Sequence, residues 1–444
     1  MRREILMPPV TPSMTDGKIS RWHVAEGQAV AAGDLLAEVE TATATLEIEA
    51  ENEGRVERIL VPAGTEGVKV NTPIAVLFGG GGETPSPRAG LHQPLAFAAF
   101  EPARRDLPQT PGRGGAVRAN EAEVTYREAL RDALAAEMRE DPHVFLIGVD
   151  VAQNRGAAKV AQGLIDEFGP QRVVSVPALD EAVFGIAVGA AYAGLKPVVE
   201  LGSWGRSLEA LWPVLTEAAQ TFYLSGGRLA VPVVFRGRNG FSEGMTGEDS
   251  RCVASALAQI PGLKVVQPAT AGTAGGLLRA AIRDPGPVAV LEHELLYPLR
   301  GAADAWAGPL GAARIARAGN DVTLVAAGHA LAVVLEAAAA LACDGIEAEV
   351  VDLMCVRPLD HETVAVSVAR TGRLVTIEDG WGDLGVGAEI VASIAARNFG
   401  DLKSAPVRIA GAAVPMPYAA ELQAVARPTP EAIVRSVSKL VRGS

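Results

Sequence analysis

Apolar positions along this chain follow two different periods. From Met1 to about Gly79 they alternate with polar residues in short runs split by Gly and Asp turns, which predicts β-strands with one buried face. The segment also repeats itself: Asp16-Gly17-Lys18-Ile19 is matched by Glu53-Gly54-Arg55-Val56, and Leu36-Ala37-Glu38-Val39 by Ile74-Ala75-Val76-Leu77. Neither half can bury its own apolar face, so the two should close on each other as a small flattened barrel. From about 80 to 122 the pattern dissolves into Pro, Gly, Ala and Arg with no sustained period, which predicts a linker.

Beyond Glu123 short apolar runs alternate with longer amphipathic ones. Thr125-Tyr126-Arg127-Glu128 is a capping box, followed by the stripe Leu130, Leu134, Met138 of a helix. Strands are predicted at Val144–Ile147, Val173–Val176, Lys196–Leu201, Val231–Phe235, Lys264–Val266 and Val288–Leu291. Alternating strands and helices mean an α/β fold, a doubly wound and mainly parallel sheet over 123–300. A second α/β domain over 308–444 should place strands at Asp321–Ala326, Glu347–Leu353, Leu374–Glu378 and Val407–Ile409. Its helices should be His329–Leu341, His361–Arg370 and Val386–Asn398.

The run Val173 to Leu201 organises the rest. After its first strand come Asp180 and Glu181, then Phe184-Gly185-Ile186-Ala187-Val188-Gly189-Ala190-Ala191, which is too long and Ala-rich for a strand. Gly185 and Gly189 suit a helix packed closely on a sheet or a cofactor, since each costs about 1 kcal/mol inside a helix.

Composition narrows the function. A length of 444 residues suggests roughly three domains. With 49% hydrophobic and 21% charged residues the chain is globular, and a net charge of −12 argues against a nucleic-acid partner. Cys252, Cys343 and Cys355 form no C-x-x-C pair, so a reducing cytoplasm is expected. Neither a secretory leader nor a membrane-spanning apolar run is visible.

Ligands of doubly wound sheets bind beyond the carboxyl ends of the strands. The candidates there are Asp150, Asp180 and Glu181, Ser203 and Trp204, Arg236 to Asn239, and Glu292-His293. Asp180 and Glu181 read equally well as helix N-terminal charges, and Glu292 and His293 as a cap or an ion pair. Gly382-Asp383-Leu384-Gly385-Val386-Gly387 follows a strand and opens a helix, yet it fits neither phosphate-loop spacing.

The Val173–Leu201 stretch, with Tyr223-Leu224-Ser225-Gly226-Gly227, Val234-Phe235-Arg236-Gly237 and Pro415-Met416-Pro417-Tyr418, resembles the β subunit of the pyruvate dehydrogenase E1 component. The resemblance runs from about Glu123 to the C-terminus. Met7-Pro8, Glu26-Gly27, Gly33-Asp34 and Glu38-Val39-Glu40-Thr41 resemble a lipoyl (biotinyl-like) domain, whose acceptor lysine lies in an Asp-Lys-Ala turn. Here the matching positions are Ala42, Thr43 and Ala44, which implies a domain without lipoate, in a docking or vestigial role.

The resemblance implies oxidative decarboxylation of a 2-oxo acid such as pyruvate on thiamine diphosphate. The family's activating carboxylate, which holds the aminopyrimidine N1′, aligns with Asp180, or with Glu181 if the helix start slips by one. The cofactor would also meet Asp150, Gly202, Trp204 and Arg206. The family's stacking aromatic aligns with Arg206, with Trp204 near enough to stack instead. The family's histidine aligns with Asp249, an anion that would repel a 2-oxo acid carboxylate. The Gly-Asp-Gly…Asn motif for diphosphate and Mg²⁺ is missing, which implies an E1 α subunit in an α₂β₂ assembly working with an E2 acyltransferase. Two alternatives are a noncatalytic paralogue with an assembly or regulatory role, and a thiamine enzyme with an altered substrate.

Overall fold

The computed structural model describes all residues except 1, 8–15, 32, 41–44, 51–52, 80–122, 154–158, 178–179, 243, 246, 304–305, 307 and 444. The side chains of Arg3, Thr45, Leu46, Glu47, Glu49, Gln153, Asp180, Glu181 and Leu215 are likewise not described. The expectations at Thr43 and for the linker 80–122 therefore lie outside the described residues. The chain forms two compact units, Met1–Arg113 and Gly114–Ser444.

The first unit is all β. Arg2–Leu6, Pro73–Phe78, Gly54–Ile59 and Ala29–Val30 form one four-stranded sheet; Thr45–Glu49, Leu35–Glu40, Asp16–Trp22 and Val68–Lys69 form the other. Each sheet draws strands from both sequence repeats, so neither half is complete alone. The shared core contains Ile19, Val39 and Ile48 from one sheet and Ile74 from the other. The repeat is visible in burial too: Leu36 and Ala37 match Ile74 and Ala75, all buried.

The second unit begins with the predicted capping box: Thr125 Oγ1 accepts from the Glu128 N–H at 3.1 Å while Glu128 accepts from the Thr125 N–H at 2.7 Å. The helix Tyr126–Glu140 then buries Leu130, Leu134 and Met138. Its main sheet runs in the order Val173–Val176, Val144–Val149, Lys196–Ser203, Val234–Arg238, Val288–Glu292, Lys264–Val266, Cys355–Arg357. All neighbours are parallel except the last strand, which pairs antiparallel with Lys264–Val266. That edge strand comes from the C-terminal half, so the two halves share a sheet. A second, five-stranded sheet is ordered Arg314–Arg317, Ala348–Asp352, Val322–Ala326, Leu374–Trp381, Val407–Gly411.

Two details depart from the sequence reading. The strand expected at Val231–Phe235 is Val234–Arg238: Arg236 looked like its polar end, but it lies fully buried within the ladder. In the helix Asp180–Tyr192, Val183, Phe184, Ala187 and Val188 face the core, and Phe184 meets Phe235 edge-on at 5.1 Å. Gly185 and Gly189 are not packed on the sheet: a Cβ at either would meet nothing within 4 Å, and Ile186 beside them is exposed. The glycines face outward.

Candidate functional site

Three strand ends converge where the sequence placed the site. Val144–Val149 ends at Asp150, which takes a left-handed φ of +57°. Val173–Val176 leads into the helix whose first residues are Asp180 and Glu181. Lys196–Ser203 leads into a turn starting at Arg206, and that turn packs against the Asp180 helix.

Arg206 and Asp249, 43 residues apart, form one ion pair at 2.8 Å. Ser203 Oγ donates to the other Asp249 oxygen at 3.1 Å and accepts from the Arg206 N–H at 3.3 Å. The Asp249 side chain is 4% exposed and that of Arg206 is 63% exposed. Asp249 is thus held beneath a cation, and the surface offered to a ligand is a planar guanidinium. This revises the expectation that Asp249 presents a bare anion: its charge is compensated by Arg206.

Trp204 does not take the stacking place expected of it. It is fully buried, its backbone N–H donates to Arg238 O, and its indole Nε1 donates to Val290 O at 3.2 Å. The ring belongs to the core cluster with Phe184, Phe235 and Leu291. Gly202 stays exposed at the rim, its carbonyl accepting from Arg238 Nε at 2.9 Å.

Behind the rim lies a buried charge cluster. Arg236 donates to Glu292 through Nε at 2.6 Å and Nη2 at 2.7 Å, and to Glu200 through Nη1 at 2.5 Å. Tyr297 Oη donates to Glu292 at 2.7 Å. Burial pushes the Glu200 carboxyl up against the pull of Arg236, while its two carboxylate neighbours hold Arg236 above the usual guanidinium range despite burial. Glu292 is therefore an ion-pair member, as read. His293 is a cap, its Nδ1 accepting from the Leu295 N–H at 3.2 Å. Sequence reasoning missed that His329 and Asp379 join it: the His293 and His329 rings stack at 4.2 Å, and His329 Nδ1 lies 3.1 Å from Asp379 Oδ1. No local spacing links 293, 329 and 379.

The glycine-rich turn before the helix Val386–Arg397 is claimed by the chain itself. Glu378 accepts from the Val386 and Gly387 N–H groups at 3.0 and 3.1 Å, occupying the donors a phosphate would use. Burial pushes the Glu378 carboxyl up to about 7, against those two hydrogen bonds.

What donor chemistry does the rim offer? A helix that opens with two acids and packs against a turn bearing a fixed planar cation offers the residue types that suit an aminopyrimidine, which presents a ring nitrogen and an aromatic face. The described residues include one three-ligand cluster, His293, His329 and Asp379, and it is not the oxygen-rich set Mg²⁺ prefers.

Comparison with known proteins agrees with this architecture. Residues 122–300 match the family described as transketolase, pyrimidine binding domain; residues 311–433 match transketolase, C-terminal domain; residues 3–77 match biotin-requiring enzyme. A pyruvate dehydrogenase E1 component subunit beta from Rhizobium meliloti (strain 1021) is 44% identical over 453 aligned positions, covering 98% of each chain. The mitochondrial subunit beta-1 from Arabidopsis thaliana is 47% identical, covering 71% of this chain and 88% of its own. Among solved structures, a split gene transketolase described as an inactive beta4 tetramer superposes with a TM-score of 0.61 at 20% identity, covering 72% of this chain and 99% of its own. That likeness concerns the fold.

Proposed function

The chain belongs to the family of pyruvate dehydrogenase E1 component β subunits, and we propose that it supplies the pyrimidine wall of a shared thiamine diphosphate site. The reaction is oxidative decarboxylation of a 2-oxo acid, with pyruvate as the first candidate. The observation that carries this reading is the strand-end rim, where the helix opened by Asp180 and Glu181 packs against the turn that begins at Arg206, and Arg206 pairs with Asp249.

When bound, the cofactor supplies the electron sink that a 2-oxo acid needs to lose carbon dioxide. Asp180 would hold the proton at the pyrimidine N1′, with Glu181 as the other candidate. Asp249 holds the guanidinium of Arg206 in place, and Arg206 would serve where the family has its aromatic, offering a planar cation to the pyrimidine. Asp150 and Gly202, at the ends of adjacent parallel strands, would complete the cofactor's surroundings. The outward cation also draws a 2-oxo acid carboxylate toward the site, which favours an anionic substrate over a cationic one.

An α subunit would bring the diphosphate and Mg²⁺ ligands, completing an α₂β₂ assembly. The open face of Gly185, Ile186 and Gly189 supports such a neighbour, because two helical glycines gain nothing from this chain's own packing. Threonine at 43 has no amine for lipoate, so the acyl group would pass to a lipoyl domain on another chain of the complex, built around its E2 acyltransferase. The proposed domains are 1–79, 80–122, 123–300 and 308–444, and the proposed location is the cytoplasm. Among the described residues no helix is long and apolar enough to cross a membrane.

The second reading is a noncatalytic paralogue, favoured by the ion pair standing where the family has an aromatic and a histidine. Co-purification with the α subunit, a thiamine diphosphate titration and a pyruvate decarboxylation assay separate the two. The catalytic reading expects saturable binding, and a loss of turnover of roughly 10²–10⁴-fold in Asp180→Ala or Glu181→Ala. Absent coenzyme binding by the assembled pair rejects it; full activity in both variants rejects the carboxylate assignment.

A further inference from the structure

His293, His329 and Asp379 bring ligand-type atoms within 4.8 Å of one another from three elements. His293 follows the strand Val288–Glu292, His329 opens the helix His329–Cys343, and Asp379 lies on the strand Leu374–Trp381. The first adjoins the end of a large-sheet strand, and the other two come from the C-terminal half, one on a helix and one on a strand. Such a trio invites a metal, but the geometry disfavours one. Imidazole binds a metal in the plane of its ring, and two rings stacked with 16° between them have no common in-plane point. His293 Nδ1 also accepts a backbone hydrogen bond, so a neutral ring carries its proton on Nε2, where a metal would bind. Burial, and then His329, push this imidazole down to about 3, so the ring is neutral at physiological pH.

What the stack does meet is the loop that carries Asp249. Gly240 lies against the His293 ring: a Cβ there would stand 3.4 Å from its Cδ2 and 3.6 Å from Nε2. Asn239 donates its backbone N–H to Glu292 O at 2.7 Å, accepts at Oδ1 from the Val253 N–H at 2.8 Å, and donates through Nδ2 to the Cys252 sulfur at 3.6 Å. Gly240 N–H donates to Arg251 O, closing the neck of the loop across its base. On the far side Gly380, next to Asp379, sits so close that its Cβ would stand 3.2 Å from the Cys252 sulfur. The Arg427 guanidinium lies 4.0 Å above the Phe241 ring. The contacts make a closed circuit: His329 to Asp379, Gly380 to Cys252, Cys252 to Asn239, Gly240 to His293, and His293 back to His329.

We infer that His293, His329 and Asp379 are positioning residues, a clamp spanning both sheets that fixes the neck of the 239–253 loop and, through it, the grip of Asp249 on Arg206. What the fixed pair does for a coenzyme rests on the function proposed above; the clamp on the loop does not.

Hydrogen exchange on the full chain separates the two. His329→Ala removes both the stacked ring and the Asp379 bond, and peptides covering 239–253 should exchange about tenfold faster, while 196–203 and 288–292 keep their protection. His329→Phe restores a stacked ring without the bond and should recover part of the protection. Asp379→Asn should fall between the two. Once the chain is paired with its α subunit, apparent thiamine diphosphate affinity should weaken in the same order. Unchanged loop exchange in His329→Ala, or uniform loosening of the whole unit, overturns the clamp. So does a Co²⁺ titration of the wild-type chain showing histidine-ligated absorption that His329→Ala abolishes. A loop that loosens as expected in a chain that binds no coenzyme upholds the clamp and rejects only the coenzyme reading.

Discussion

One arginine–carboxylate arrangement lies within the large sheet and another lies just beyond the end of one of its strands, and the two do opposite things. Arg236 is sealed between Glu200 and Glu292, with side-chain exposures of 0%, 3% and 0%. Arg206 grips Asp249 beyond the strand end and leaves most of its side chain in the open. The chemistry of the groups is alike, so burial decides the role. A cation enclosed on all sides is committed to the sheet; one enclosed on a single side still has donors for a ligand.

Substitutions can break that contrast. Arg236→Met leaves two buried carboxylates without their cation and should destabilise the chain by about 3–5 kcal/mol, read as a fall in urea midpoint. Glu378 probes burial without a bound arginine. Its carboxyl rises to about 7 from 4.5, so its protonated form is favoured by folding. The associated stability is full below pH 4.5 and is lost as pH climbs through about 7, roughly 3 kcal/mol in all. Glu378→Gln should flatten the stability profile across that window; an unchanged profile would assign the pH dependence elsewhere. Arg206→Ala, which strips Asp249 of its cation at a half-open site, should cost about 1–2 kcal/mol. Asp249→Asn should cost under about 1 kcal/mol, because the arginine it releases is already solvated. If Asp249→Asn proved the more damaging of the pair, the contrast between the two arginines would fail.

Local sequence rules read the periodic parts of this molecule well. The Thr125–Glu128 box, the strand Val173–Val176 and the helix beginning at Asp180 follow from residues within one or two turns of each other. The repeat in the N-terminal unit predicted paired halves because each half visibly lacked a core. Long-range compensation was not legible. Arg236 seemed to end a strand because its partners, Glu200 and Glu292, come from other strands. Trp204 and Arg206 are close in sequence, yet the chain turns between them and sends one side chain inward and the other out. Arg206 with Asp249, and His293 with His329 and Asp379, carry no spacing signal at all, since tertiary folding alone brings them together. By sequence the glycines of the Asp180 helix suit packing on a sheet or a cofactor, and the sheet half of that reading fails because both face away from it.

The unequal exposure of Arg206 and Asp249 also sets an order of travel for any lineage that exchanges this pair for other residues. A chain that gives up the arginine first must carry a sealed negative charge through the intermediate generation. One that gives up the aspartate first merely releases a cation that water already surrounds. The passable route between the two kinds of rim therefore runs through position 249, and mixed forms bearing arginine with a neutral partner are the ones to look for in relatives.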